Sequence, residues 1–262
     1  MSDPRQRPHP NQFRTRFMSG ETLLGTFIKT PTGHATEILG GLGFDFVVID
    51  EEHAPFDRVT IDQTLLAARA AGTAGIVRVS DPTPSKLLAV LDDGAIGVLV
   101  PHVSSPERAR AVVDACRYRG GHRGFSNSPR AGGYGELGIW PHVDHADATV
   151  TVIAMIEDPE ALDQLDEILA TPGLDGVFIG RGDLTVAFGV PGIDAPEVIA
   201  AAEKIAGAAK KANKPVCMMV AGAGDATRFQ AIGASAFIVS SDQGLMRQAA
   251  AKLIGDFAAL KA

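Results

Sequence analysis

At four places in this 262-residue chain a short apolar run ends on ionisable side chains. Phe46-Val47-Val48-Ile49 leads into Asp50-Glu51-Glu52-His53, and Pro55 closes the segment. Ile76-Val77 leads into Arg78, Val152-Ile153-Ala154-Met155-Ile156 into Glu157, and Val177-Phe178-Ile179-Gly180 into Arg181-Gly182-Asp183. Such runs predict buried strands, and parallel-sheet proteins place their chemistry just past the C-terminal strand ends. Asp50 and His53 have the types and spacing of a catalytic pair, the carboxylate orienting the imidazole as acid or base; the same spacing also serves a loop-closing hydrogen bond. Glu157 and Asp183 make an oxygen-only donor set suited to an octahedral divalent ion such as Mg²⁺, Mn²⁺ or Co²⁺ that keeps several waters. The carboxylate and keto oxygens of a 2-oxo acid can take the open positions. Either acid alone has a plainer use, Asp183 as the N-cap of a helix from Leu184 and Glu157 in the turn ahead of Pro159. An inward Arg78 needs an anion, either a developing enolate oxygen or a neighbouring carboxylate. Glu52 is placed to pair with Arg78 or to order waters around the metal.

These residues need a scaffold that brings distant strand ends to one face. Strands are predicted at 23–28, 44–50, 75–79, 96–101, 151–157, 176–180, 215–220 and 236–240. Helices are predicted at 33–41, 58–71, 84–92, 105–117, 159–170, 194–212, 223–232 and 242–259, with Gly and Pro as punctuation. Eight alternating pairs fit a single-domain (β/α)8 TIM barrel over residues 19–262, with extra C-terminal helix. A doubly wound sheet fits less well, because no glycine fingerprint follows the first strand. Gly222-Ala223-Gly224 reads as a helix-start loop or a phosphate or carboxylate contact. Residues 118–149 exceed a simple connection and read as a lid, a binding loop or an oligomer contact. Leu184–Gly192 reads as a one-turn helix and loop. Residues 1–18, rich in Pro, Arg and Gln, read as a flexible N-terminal arm whose Arg5, Arg7, Arg14 and Arg16 are solvated rather than bound to a polyanion. His142 and His145 have a metal-like spacing but fit the polar face at a helix start, and His102 follows the fourth strand without an evident role.

A net charge of -7 gives no field for nucleic acid or an anionic membrane. Forty-five per cent hydrophobic residues and 21% charged ones are ordinary for a soluble domain with a large core. Cys116 and Cys217 are unpaired in spacing, which fits a reducing compartment. With no apolar run of membrane-spanning length and no signal-peptide core, a cytoplasmic location is expected.

Together, Val48-Ile49-Asp50-Glu51-Glu52-His53, Val77-Arg78, Ile156-Glu157 and Gly176-Val177-Phe178-Ile179-Gly180-Arg181-Gly182-Asp183-Leu184 resemble the metal-dependent (class II) pyruvate aldolases, the family of 4-hydroxy-2-oxoheptanedioate aldolase and the citrate lyase β-subunit. The likeness runs from about Gly20 to the last helix. It implies that Glu157 and Asp183 hold the metal, that Arg78 stabilises the pyruvate enolate, and that His53, oriented by Asp50, works through a water as acid and base. It also implies that the N–H groups of Gly182 and Asp183 receive the substrate carboxylate, as a helix N-terminus can. The expected partners are a 2-oxo acid and an aldehyde, and the expected assembly is a homotrimer or homohexamer joined through the last helix. Glu51 and Arg181 depart from the family's neutral residue and proline; Arg181 either contacts an acidic acceptor or points outward. The 120–135 loop, with Arg123 and Arg130, is similar to the sugar-acid-cleaving branch and makes Arg123 a candidate substrate contact. The competing readings are a lyase for acyl-CoA esters, a Schiff-base aldolase using Lys29, and a non-catalytic 2-oxo-acid-binding barrel.

Overall fold

The computed structural model describes residues 8–260. Eight parallel strands close into a barrel in sequence order: β1 (Leu23–Ile28), β2 (Phe46–Asp50), β3 (Ala74–Arg78), β4 (Gly97–Val100), β5 (Thr151–Ile156), β6 (Gly176–Ile179), β7 (Val216–Val220) and β8 (Ala234–Ser241). The barrel is wrapped by α2 (Gly33–Leu42), α3 (Arg58–Ala71), α4 (Pro84–Asp92), α5 (Pro106–Cys116), α7 (Leu165–Leu169), α8 (Arg181–Phe188), α9 (Pro196–Lys211), α10 (Ala223–Gln230) and α11 (Asp242–Asp256). All eight predicted strands are present, with ends within a few residues of the expected ones. Alternate strand residues face inward and outward. The inward set, including Phe27, Phe46, Val48, Ile76, Leu99, Met155 and Phe178, fills the barrel, and the outward set packs beneath the helices. Among the described residues no helix is long and apolar enough to cross a membrane.

The described part of the expected flexible N-terminal arm is ordered. Arg5 and Arg7 lie outside the described residues, but α1 (Phe13–Met18) closes the N-terminal end of the barrel. Phe13 and Phe17, four apart and so on one helix face, are fully buried among the inward-facing side chains. Their rings stack at 5.7 Å, and Phe13 meets Phe46 at 5.2 Å. The arginines that suggested a solvated arm have internal partners: Arg14 pairs with Asp175 at 2.7 Å, and Arg16 with Glu21 and Asp45 at 2.6 and 2.8 Å. Gly176 makes room for the plug, since a Cβ there would lie 2.6 Å from the Phe17 ring. Phe17→Ala is therefore expected to cost about 3–5 kcal/mol in urea unfolding, whereas a loose arm would tolerate it.

Residues 118–149 also gain structure, a 3₁₀ turn at Arg130–Gly135 and a helix α6 (Ile139–Thr149). His142 is buried in α6 with Nε2 3.1 Å from the Tyr118 hydroxyl and so serves packing rather than a polar face, whereas His145 is exposed on that helix, 3.4 Å from Asn11, as the polar-face reading expected. Leu184–Gly192 belongs partly to α8, two turns rather than one, and Gly222 precedes α10 as its N-cap.

Candidate active site

Asp50 and Arg78 end adjacent strands in direct register, which sets them side by side at the C-terminal mouth of the barrel. Arg78 Nε and Nη2 donate to the two Asp50 oxygens at 2.9 and 2.7 Å. Lys29, one residue past β1, puts Nζ 3.0 Å from the same carboxylate, and the His53 backbone N–H donates to it at 3.2 Å. Asp50 is completely buried. Burial opposes its ionisation, but Arg78, Lys29 and the His53 N–H outweigh it and hold the carboxyl below the ordinary aspartate range. The guanidinium also lies 4.8 Å over the Phe27 ring. With Nε and Nη2 committed to Asp50, Nη1 is turned towards Glu52, 3.4 Å away.

The expected Asp50–imidazole pair does not form. Asp50 reaches His53 through the backbone, and the closest carboxylate to the ring is Glu52, 3.7 Å from Nε2. An (i, i+3) spacing in a tight loop brings the carboxylate to the N–H of residue i+3, leaving the ring free to swing outward. Asp50 thus organises Arg78, Lys29 and the loop.

Glu157 follows β5 directly and is only 3% exposed. Its Oε1 accepts the His102 N–H at 2.8 Å. Burial lifts the carboxyl to about 7, with the His102 N–H working against this and the charges of Asp183 and Glu52 adding to it. Asp183, in the first turn of α8, is exposed and, among the described residues, has no hydrogen bond or ion pair. The first N–H of this helix with a backbone acceptor is that of Leu184, to Gly180 at 3.1 Å, so the Gly182 and Asp183 N–H groups lie ahead of it. Gly180 allows close approach, because a Cβ there would lie 2.8 Å from Glu157 Oε2.

Two carboxylates of like charge, one buried and neither matched by Lys or Arg among the described residues, fit a hard divalent cation. Among those residues no group of three or more His, Cys, Asp and Glu forms a complete cage, so water and substrate oxygens would supply the remaining ligands.

Several residues sit elsewhere than expected. Arg123 is not a substrate contact at this mouth: its side chain is 1% exposed, pairs with Asp92 at 3.1 Å and stacks 4.6 Å from the Tyr118 ring. Arg123 and Arg130 line a cavity of about 360 Å³ together with Thr73, Ile96 and Val150, residues at the starts of strands and so at the opposite end of the barrel. Arg181 neither contacts the site nor points outward. It is buried over the Phe229 ring at 4.3 Å and bonds Asp225 at 2.8 Å and the Met219 carbonyl at 3.0 Å, tying the start of α8 to β7 and α10. Glu51 holds Lys86 at 2.6 Å and the Ser80 N–H at 3.2 Å, fixing the loop between β3 and α4.

His102 and Asp158 join the site without having been assigned a role in it. His102 has a left-handed backbone (φ 54°), and its Nδ1 lies 3.0 Å from Asp158. Desolvation lowers the tendency of this ring to protonate, but Asp158, Glu157 and Glu52 together raise it above that of an ordinary histidine. The available signal was positional: Pro101-His102 follows β4, and Asp158 is adjacent to Glu157.

A family model described as HpcH/HpaI aldolase/citrate lyase matches residues 23–249. A 5-keto-4-deoxy-D-glucarate aldolase of Enterobacter sp. (strain 638) is 35% identical over 250 residues, 95% of this chain and 97% of that protein. A solved HpcH/HpaI aldolase/citrate lyase family protein from Burkholderia cenocepacia J2315 is 28% identical, with a TM-score of 0.89 over 94% of this chain and 98% of the other. The structure of the citrate synthase SbnG, 29% identical, has a TM-score of 0.86 over 95% of this chain and 99% of that one.

Proposed function

Because the chain belongs to the HpcH/HpaI aldolase/citrate lyase family, we propose that it is a divalent-metal-dependent aldolase. In this reading it reversibly cleaves 4-hydroxy-2-oxo acids of the sugar-acid or dicarboxylic type to pyruvate, or hydroxypyruvate, and an aldehyde. The observation that carries this is the Glu157–Asp183 pair, two carboxylates in want of a cation, at the same mouth as an Arg78 whose Nη1 is left by Asp50 and turned to Glu52, 3.4 Å away.

Glu157 and Asp183 would hold Mg²⁺, Mn²⁺ or Co²⁺, which when bound polarises the 2-oxo group. The N–H groups of Gly182 and Asp183 receive the substrate carboxylate. In cleavage the C4 hydroxyl proton leaves to His53, directly or through water, with Glu52 beside the ring to balance the charge gained. The C3–C4 bonding pair moves into the C2–C3 bond, and the C2 oxygen becomes negative where Arg78 Nη1 is offered. Protonation at C3 then gives pyruvate. Synthesis runs the same steps in reverse, beginning with removal of a pyruvate methyl proton.

Against a Schiff-base route, Lys29 Nζ sits 3.0 Å from the buried Asp50 carboxylate, held in an ion pair rather than presented to a substrate carbonyl. EDTA should abolish turnover, Mg²⁺, Mn²⁺ or Co²⁺ should restore it, and borohydride with pyruvate should leave Lys29 unlabelled. Trapping at Lys29 or activity in EDTA would overturn the metal reading.

A homotrimer or homohexamer is proposed on the state of α11. Met246, Leu253 and Ile254 on this helix, and Phe257 just beyond it, are all exposed, and a row of large apolar side chains of this kind marks an interface. Leu253→Glu combined with Ile254→Glu should shift sedimentation to a smaller species; an unchanged species would place the contact elsewhere. The reaction uses small molecules alone, and a cytoplasmic location is proposed from the free, buried Cys116 and Cys217.

A further inference from the structure

We propose that His102, aligned by Asp158, contacts the substrate and selects acceptor aldehydes that carry a hydroxyl beside the carbonyl carbon; this rests on the aldolase reading above. The backbone N–H of His102 is used on Glu157, and Asp158 takes Nδ1 at 3.0 and 3.3 Å from its two oxygens. The ring is therefore held in place while half exposed at the barrel mouth. Its second nitrogen, Nε2, has no hydrogen-bond partner among the described residues; the nearest group is Glu52 Oε1 at 4.0 Å, beyond bonding distance. The ring thus stands between Glu157 and Glu52, within 3.6 and 4.0 Å of them.

The surroundings decide what Nε2 receives. Glu52, Glu157 and Asp158 are all within 4.0 Å of this ring, so an additional carboxylate is repelled. A hydroxyl is neutral and both donates and accepts, so it pairs with the ring in either protonation state. An aldehyde with a methyl group in place of that hydroxyl offers Nε2 no partner.

The left-handed backbone provides a clean test. Glycine adopts φ 54° without strain and keeps the N–H on Glu157, so His102→Gly removes the ring alone, and His102→Asn is a second variant that tolerates this conformation. Pyruvate addition to glycolaldehyde is compared with addition to propionaldehyde, which exchanges the hydroxyl for a methyl. Both variants should lose about ten- to a hundredfold in kcat/KM for glycolaldehyde, the range for stranding a polar partner, and clearly less for propionaldehyde, so that the preference between the two aldehydes collapses. Asp158→Ala, which frees the ring, should give a smaller loss of the same kind. Deuterium exchange into the pyruvate methyl group, which involves no aldehyde, reports any effect that the variants have through Glu157, 3.6 Å from the ring, and such an effect is shared by both aldehydes, so the ratio of the two kcat/KM values is the readout. Equal losses on both aldehydes, or no loss on either, would overturn the assignment. Failure of the wild type to exchange pyruvate would instead defeat the aldolase reading, and this one with it.

Discussion

Glu157→Gln is expected to lower kcat/KM by about a thousandfold or more, the scale for removing a metal ligand and the charge stabilisation it supports. The same substitution should stabilise the EDTA-treated fold at alkaline pH. The Glu157 carboxyl titrates at about 7 in the folded protein against an ordinary value of 4.5. A carboxyl whose folded value is raised favours folding while protonated, below 4.5, and that contribution is lost as pH rises through about 7. Ionised Glu157 therefore costs the fold about 3 kcal/mol at pH 8, and glutamine escapes that cost while still accepting the His102 N–H. Urea unfolding in EDTA should show the variant more stable than wild type at pH 8 and equal to it near pH 4. With Mn²⁺ present the order should reverse, because only the wild type gains binding energy. Wild-type Mn²⁺ affinity should fall as pH drops through about 7, since a proton competes for the ligand. A variant that binds Mn²⁺ like wild type would remove Glu157 from the ligand set.

Arg78→Lys should be nearly as damaging to catalysis while leaving the metal in place. The guanidinium spans both oxygens of Asp50 and presents its third nitrogen to Glu52, and an ammonium cannot do all three. Loss of an aligned donor at a developing oxyanion costs about 10²–10³ in kcat. Arg78→Ala is a poorer probe, because it deprives the buried Asp50 of its main partner and costs about 3–5 kcal/mol in stability. In Arg78→Lys the methyl-proton exchange of pyruvate should fall with kcat, and Mn²⁺ affinity should stay near the wild-type value. Exchange at the wild-type rate would exclude Arg78 from enolate stabilisation.

The barrel was legible because its strands are short apolar runs bounded by Gly, Pro and charge, and because buried parallel strands need no alternation. The ends of those runs place Asp50, Arg78 and Glu157 at one mouth, and Asp183 follows a few residues after β6. Contacts within the mouth were less legible. Spacing brings His53 near Asp50 but does not decide whether ring or backbone faces the carboxylate, and the (i, i+3) loop geometry chose the backbone. The misplacement of Arg123 is topological. In a barrel the link from helix to next strand lies at the N-terminal face, and residues 118–149 follow α5, so their arginines had to emerge opposite the site. Composition misread residues 13–18 because the surrounding prolines and arginines masked two phenylalanines at helical spacing. Arg181 and Glu51 stand out in sequence as departures from the family's pattern, and each is consumed by a structural partner, Asp225 and Lys86. The partnership of His102 with Asp158 joins residues 56 apart and depends on a positive φ that no spacing rule anticipates.

The measurement that bears most directly on the Glu157–Asp183 site is deuterium exchange into the methyl group of pyruvate, followed by proton NMR in D₂O without any aldehyde. Exchange should be fast in wild type with Mg²⁺ or Mn²⁺, absent in EDTA, and absent in Glu157→Gln at every metal concentration. Exchange that persists in EDTA or in the glutamine variant would contradict a divalent ion held by Glu157 and Asp183 as the basis of enolate formation.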